Sequence, residues 1–310
     1  MEGLHVKTYI MRTLLQIIPV LLLVSLIVFI LVRVTGDPVA LMLPETATAE
    51  DRAALTQALG LDQPLYQQYI KFLGSALLGD FGTSFRYGQS ALPLVLERLP
   101  ASIELAAAAM VFAIVMSVPL GIWSAVKRNT FTDLIISGVS VIGKAMPNFW
   151  MGIMLILLFS VILGMLPVSG RGGLDHLILP AFTLGVGIGA QMTRLVRSSM
   201  LEILNQDYMV TAKSKGVNRF VRITRHALRN GMIPIVTIAG MQFTGLIGGT
   251  LITETVFAWP GLGQLLVTAV NTHDMAIVQA AVFVIAVIVI IGNLLTDIAY
   301  RLLDPRIKYN

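Results

Sequence analysis

Four stretches of this chain, Thr13–Val32, Leu105–Val126, Asn230–Thr253 and Met275–Thr296, each run for about twenty residues or more without a charged side chain. A helix needs about 20 residues to cross roughly 30 Å of hydrocarbon, where every backbone hydrogen bond must be satisfied within the fold. Lipid is therefore the solvent for much of the molecule. With 56% hydrophobic and only 13% charged residues in 310, the chain has too little polar surface to clothe soluble domains of that length. Two further spans are counted, Leu134–Leu163, interrupted by Lys144, and the shorter Leu177–Thr193. The expected fold is an all-α membrane protein with six transmembrane helices.

The cations orient the bundle. Lys7 and Arg12, Lys127 and Arg128, the eight cations from Arg194 to Arg229, and Arg301, Arg306 and Lys308 gather on one side when the spans alternate. By the positive-inside rule that side is cytosolic, which puts both termini in the cytoplasm. The other side holds Asp37, Glu45, Glu50, Asp51, Asp62, Asp80, Glu97, Asp175 and Asp274. The net charge of +5 thus follows from topology and gives no reason to expect nucleic acid as a partner. Gly36-Asp37-Pro38 follows the first span where a cleavage site would need small residues, so that helix is expected to stay uncleaved. The absence of cysteine excludes disulfides and thiolate metal sites.

The expected organisation is a cytoplasmic end and first helix over 1–34, an outer helical segment over 35–98, a membrane domain over 99–304 and a cytoplasmic tail over 305–310. Within the outer segment, Thr48 and Asp51 form a capping box ahead of Ala53–Ala58, Gly60 stops that helix, and Pro64 opens an amphipathic stretch through Leu77. The segment is either a lid on the bundle or a contact for an external partner. In the membrane domain, Pro119 and Gly121, Pro147 and Gly152, Gly185, Gly187 and Gly189, and Gly245, Gly248 and Gly249 supply breaks and close approaches between helices. Phe257-Ala258-Trp259-Pro260-Gly261 predicts a sharp turn at a membrane interface, followed by a short amphipathic helix.

Motifs for chemistry fail on inspection. Gly138–Ala145 nearly matches a phosphate-binding loop, but Ala145 stands where a hydroxyl should meet magnesium, and the segment lies in an apolar span. His5, His176, His226 and His273 are scattered, and neither H-E-x-x-H nor G-x-S-x-G occurs. No catalytic, cofactor-binding or metal-binding residue is expected.

Four charges need an account. Lys144 is expected about 15 Å into the third helix from Leu134, near the bilayer centre, where a cation is costly without a partner. It is either a structural ion-paired or carbonyl-bonded lysine or a residue of the solute path that attracts carboxylates. Glu254, at the end of the fifth span, is either a gate or docking charge or a solvated helix end. Asp297 and Arg301 sit one turn apart and permit a local anchoring pair.

The strongest signal is the basic segment Asp207–Pro234, within a cytoplasmic loop expected over 194–230. Ala212 and Gly216 place small residues four apart on a short helix, where another surface can approach closely. Lys213, Lys215, Arg219, Arg222, Arg225 and Arg229 keep the segment polar. A nucleic-acid surface would interleave aromatic residues, and here Phe220 stands nearly alone. The segment is expected to dock a protein partner.

These residues resemble the inner-membrane permease subunits of binding-protein-dependent ABC importers, in the dipeptide/oligopeptide/glutathione/nickel group. The resemblance is carried by Asp207-Tyr208, Thr211-Ala212, Lys215-Gly216, His226 through Asn230 and Pro234, in the order of that group's EAA coupling motif. It extends to Gly36-Asp37-Pro38, Gly60 through Leu65, Gly79-Asp80-Phe81-Gly82, Met146-Pro147-Asn148-Phe149-Trp150, and Glu254 through Gly263. Val210 replaces the motif's first Glu, and Lys144 stands where the group has a small residue, so the substrate class does not carry over directly.

The resemblance implies an ABC transmembrane type-1 (type I importer) fold in the bacterial inner membrane. It implies that the chain forms half of a translocation pathway with a second homologous permease. Two cytoplasmic ABC ATPase subunits would use the ATP and magnesium, and a periplasmic or lipid-anchored solute-binding protein would deliver the solute. Coupling to the ATPase would fall to Asp207, Tyr208, Thr211, Ala212, Lys215, Gly216, His226 and Asn230. Candidate path or gate residues are Lys144, Pro147, Asn148, Phe149, Glu254 and Trp259. Peptides, glutathione-like ones included, are the expected solutes. A nickel or metal-chelate importer is the alternative within the group, suggested by Asn148 and the Phe257–Gly263 run. A secondary transporter or channel is the alternative of another class, and it would need no such ordered loop.

Overall fold

Proline and glycine decide where this chain's apolar stretches stay straight and where they break. The computed structural model describes residues 18–31, 39, 43, 46–58 and 60–303. His5, Lys7, Arg12, Asp37, the Gly36-Asp37-Pro38 motif, Glu45, Arg306, Lys308 and the tail over 305–310 lie outside the described residues, as do the side chains of Pro234 and Arg301. Among the described residues there are helices and a single isolated β-bridge, Thr83 with Ser90, and no strand.

Among the described residues the helices run, in chain order, α1 (Ile18–Leu31), α2 (Ala49–Ala58), α3 (Leu65–Leu77), α4 (Ala91–Val126), α5 (Phe131–Ala145), α6 (Asn148–Leu155), α7 (Leu174–Leu204) and α8 (Asp207–Ser214). They are followed by α9 (Arg219–Val221), α10 (Leu228–Gly249), α11 (Leu251–Val256), α12 (Leu262–Asn271) and α13 (Met275–Leu303). Two π-helical stretches join them, Ile156–Ile162 continuing α6 and Arg222–Ala227 joining α9 to α10.

Helix occupies each of the six positions read as spans. Among the described residues three helices are long and apolar enough to cross a membrane, namely α4, α7 and Met275–Ile298 of α13. The third expected span is a broken one, α5 and the α6 stretch meeting at a bend of 103°. Ile18–Leu31 and Ile235–Leu246 are shorter apolar helices at the first and fifth positions.

The second span begins at Ala91, well ahead of the expected Leu105, because Glu97, Arg98 and Glu104 belong to the same helix. Composition reports hydrocarbon, whereas the helix continues past it. Pro93, Pro100 and Pro119 all lie inside α4, so Pro119 is not a break. Pro147 is one. It disfavours the helical region for the residue before it, and Met146 adopts φ −72°, ψ 128°. Lys144 therefore stands in the last turn of α5, not mid-helix.

The chain divides into two compact units, 1–101 with 260–290 and 102–259 with 291–310. In the first, the amphipathic faces of α3 and α12 bury Ala76, Leu262, Leu265 and Ala269 with Phe81, Val95, Ile277 and Ala281. Phe81 and Phe283 pack with ring centroids 5.3 Å apart. Asp274 is fully buried there, and its carboxylate accepts from the Ser84 hydroxyl. The capping box forms as expected: Thr48 Oγ1 donates to Asp51 Oδ2 at 2.7 Å, and Asp51 N donates back to Thr48 Oγ1 at 3.2 Å. The Thr48 hydroxyl, and with it the Thr48 backbone N, which donates to the same Oδ2 at 3.0 Å, hold the Asp51 carboxyl below its usual range.

In the second unit, small residues set the helix approaches. A Cβ on Gly121 of α4 would stand 2.5 Å from Val196 Cβ of α7, and one on Gly185 would meet the Phe112 ring at 2.6 Å. Gly189 likewise faces Met116. In the fifth span the expected contact glycines Gly245 and Gly249 have nothing within 4 Å, and the close approach is made by Gly240 against Thr296 and by Gly292 against Thr244. α5 is fastened to α7 by a bidentate ion pair, Arg197 Nε to Asp133 Oδ1 at 2.7 Å and Arg197 Nη2 to Oδ2 at 2.8 Å. Gly121→Ala is expected to overpack the α4–α7 contact and cost about 1–3 kcal/mol. Gly138→Ala, on an open face of α5, should leave stability unchanged or slightly raised. Thermal unfolding of the two purified variants checks the difference.

Candidate functional site

The docking segment is built from both flanks by helix. α7 carries the chain through Arg194 to Leu204, and α9, its π-helical continuation and α10 form one unbroken run from Arg219. What was expected as a loop over 194–230 is thus non-helical only around 205–206 and 215–218. Between these turns stands α8, two turns long, with Asp207 in its first turn, where a carboxylate suits the positive end of the helix dipole.

Gly216 does not sit on that helix beside Ala212, as the spacing suggested. It caps the helix. At φ 74° it adopts the left-handed region, Val217 N donates to Ala212 O at 3.1 Å and Gly216 N to Lys213 O at 3.0 Å, the bond pair of a Schellman ending. Thr211 Oγ1 donates to Asp207 O at 3.0 Å within the helix, and Lys215 is the C-cap residue.

Three of the expected coupling residues meet in space. Asn230 Nδ2 donates to the Tyr208 hydroxyl at 3.0 Å and to His226 O at 3.2 Å, tying α8 to the start of α10. Met209 is buried beneath α8, while Val210 is 58% exposed and Phe220 73% exposed. An exposed apolar side chain thus stands on a short, firmly seated helix, with a second on α9.

The second group of residues lies around α6 and α11. Pro147 precedes α6, and Asn148 and Phe149 form its exposed first turn. Lys144 is exposed, and among the described residues no carboxylate pairs with it, so the ion-paired reading is not met. One turn further along α6, a Cβ on Gly152 would stand 3.0 Å from the Phe257 ring, so this helix lies directly on the turn after α11.

Glu254 is 0% exposed, which overturns the solvated helix end. Its Oε1 accepts from Ser102 Oγ at 2.6 Å and Thr250 Oγ1 at 2.8 Å. The turn that follows places Ala258 at φ 46° and returns Trp259 N to Glu254 O at 2.8 Å. Trp259 is 1% exposed and packs inside the protein, not at a lipid interface. The Arg171 guanidinium lies 6.0 Å from its ring centroid and also donates from Nε to Glu104 Oε2 at 2.9 Å. Gly170 N donates to Phe257 O at 2.8 Å.

Sequence reasoning missed Ser102 and Thr250 on the Glu254 carboxylate, Glu104 and Arg171 beside Trp259, and Asp133 and Arg197 with Ser124, whose hydroxyl donates to Asp133. Arg197 and Glu104 stood just outside the windows drawn as spans, where a charge reads as a helix end. Among the described residues no group of three His, Cys, Asp or Glu side chains could hold a metal ion.

With this geometry the family is defined. The chain belongs to the family described as binding-protein-dependent transport system inner membrane component, which matches residues 117–309; the N-terminal part of such components matches residues 6–106. It is a multi-pass inner-membrane permease subunit of an ABC transporter, and not an enzyme.

Across 97% of its length it is 40% identical to the oligopeptide transport system permease protein AppB of Bacillus subtilis, covering 99% of that protein. It is 39% identical, at the same coverage of both chains, to the glutathione transport system permease protein GsiC of Escherichia coli K12. Among solved structures, the inward-facing MetNI methionine ABC transporter matches 68% of this chain and 96% of its own, with a TM-score of 0.56 at 18% identity. An amino acid ABC transporter matches 67% and 94%, with a TM-score of 0.50 at 17% identity. The shared fold is that of type I importer permeases.

Glu254→Ala would leave the Ser102 and Thr250 hydroxyls buried without this acceptor, at about 1–3 kcal/mol each. The variant is expected to unfold at clearly lower temperature, while Glu254→Gln, which keeps an acceptor oxygen, retains most of the stability; calorimetry in detergent compares them.

Proposed function

We propose that this chain forms half of the pathway of an ATP-driven importer for peptides, with a second homologous permease, two ABC ATPases and an external solute-binding protein. The observation that carries the reading is α8. It is a capped two-turn helix, exposed on one side and bonded through Tyr208 and Asn230 to α10 on the other. In this reading α8 seats in a groove of the cytosolic ATPase, and both termini share that side. Closure of the ATPases then moves α7 and α10 together, because α8 is continuous with one and hydrogen-bonded to the other. α5 follows α7 through the Asp133–Arg197 pair, and with it the break at Pro147.

Peptides are favoured as solutes by the names of the relatives, an oligopeptide and a glutathione permease. Lys144 supports this: an exposed, unpaired ammonium beside a helix break suits a solute that carries a carboxylate.

Gly216→Glu would force a side chain onto a left-handed backbone, at a cost of about 1–2 kcal/mol, and place a charge at the docking helix. It is expected to abolish uptake while the chain still inserts. Gly216→Asn, which tolerates that conformation, should retain uptake. Normal peptide uptake by membrane vesicles carrying Gly216→Glu refutes the docking role. Lys144→Glu is expected to lower uptake of a peptide with a free carboxylate about tenfold relative to its amide, the equivalent of ~1.4 kcal/mol. Competition between the two labelled peptides measures that ratio, and an unchanged ratio removes Lys144 from the path.

A further inference from the structure

We propose that a pocket behind α8 binds a phosphate group. The pocket, about 390 Å³ in volume, lies between the end of α4, the end of α7, α8 and α9. Its floor is apolar, with Ala125, Leu201 and Met209, and its walls carry Arg128, Lys213, Arg219 and Arg222. No carboxylate lines it. Among the described residues none of these four cations has an ion-pair or side-chain hydrogen-bond partner. Most telling, the Nε of Arg222 is buried and has no hydrogen-bond partner at all.

A bias toward cations on one side of a membrane accounts for exposed Lys and Arg. It does not account for a guanidinium nitrogen removed from water with nothing to donate to, since a buried donor without an acceptor is destabilising. Four unpaired cations around one cavity repel one another, and an anion placed among them adds an attraction to each that offsets this repulsion. The anion's shape follows from the donors. Three guanidinium groups present planar forks that match the tetrahedral oxygens of phosphate, and the ammonium adds a point charge. The apolar floor accommodates an organic group attached to that phosphate.

The location narrows the sources. Lys127 and Arg128 follow directly on the apolar stretch of α4, so the pocket lies beside the polar end of that stretch, where anionic headgroups are one source of phosphate. The phosphate belongs either to an anionic phospholipid or to a soluble phosphate compound. The inference is independent of which solute the importer carries.

The test uses the full chain purified with its associated subunits, in nanodiscs of phosphatidylcholine alone or mixed with phosphatidylglycerol. Native mass spectrometry reads the lipid retained, and thermal unfolding in phosphatidylcholine alone compares inorganic phosphate with chloride at equal ionic strength. Wild type should retain phosphatidylglycerol over phosphatidylcholine if the source is lipid, or be stabilised by inorganic phosphate if it is soluble. Arg222→Gln and Arg219→Gln are expected to weaken that preference about tenfold, the loss of one charge-assisted contact. Arg222→Lys, which keeps the charge and the packing, should retain part of it, and Arg225→Gln, outside the pocket, all of it. The proposal is overturned by three results: no preference of either kind in wild type, an equal loss in Arg225→Gln, or binding seen only after the associated subunits are stripped away. The last result would assign the pocket to a partner's carboxylate.

Discussion

The Asp133 carboxylate holds the second unit in register. It accepts both forks of Arg197 on α7, the Ser124 hydroxyl on α4 at 2.5 Å, and the backbone N of Asn129 at 3.0 Å in the turn between α4 and α5. Three helices and their connection converge on one side chain that is 5% exposed. A buried pair of this kind adds little stability over apolar packing, but a half-broken one is strongly destabilising, so it specifies one arrangement. It also explains the backbone: Asn129 holds φ 61°, a conformation that Asn tolerates better than other side chains, because its N–H must point at that carboxylate. Gly121 brings α4 within reach of Val196, the neighbour of Arg197, so close packing and ion pairing act at the same level.

The importance of such a fastening lies in what it makes rigid. α4 passes three prolines without breaking, whereas α5 and α6 part at one. The difference is context. Pro93 falls in the first turn, where no intrahelical N–H bond is lost, and the helix runs on through Pro100 and Pro119, while Met146 takes the extended conformation that a following proline favours. α4 thus runs on where α5 and α6 form an elbow, and the turn before α5 is locked on Asp133.

Much of this was legible in the residues. Hydrophobic run length found the helical positions, and the order of Tyr208, Lys215-Gly216 and His226–Asn230 found a short helix in the basic segment and the family. The capping box at Thr48 was readable because it is local. What escaped was whatever depends on two distant segments meeting. Asp133 and Arg197 lie 64 positions apart, Ser102 and Glu254 152 apart. A charge at the edge of an apolar run looks solvated until the opposing helix is known, which is why a solvated helix end stood as one of two readings of Glu254, and why Trp259 read as an interface anchor. Glycine patterns failed in the same way: Gly245 and Gly249 are spaced for contact and touch nothing, while Gly240 and Gly292, far apart in the chain, do the work.

Those last two glycines constrain motion. Gly240 receives Thr296, and one turn along, Gly292 receives Thr244, so α10 and α13 exchange a small and a branched residue reciprocally. Moving α13 by one turn, about 5–6 Å, would set Thr296 against Thr244, two branched side chains where the backbones are spaced for only one. The pair is therefore keyed against sliding and free to swing. Any opening that passes through these helices must be a rotation of the two as one lever, with the angle between them preserved.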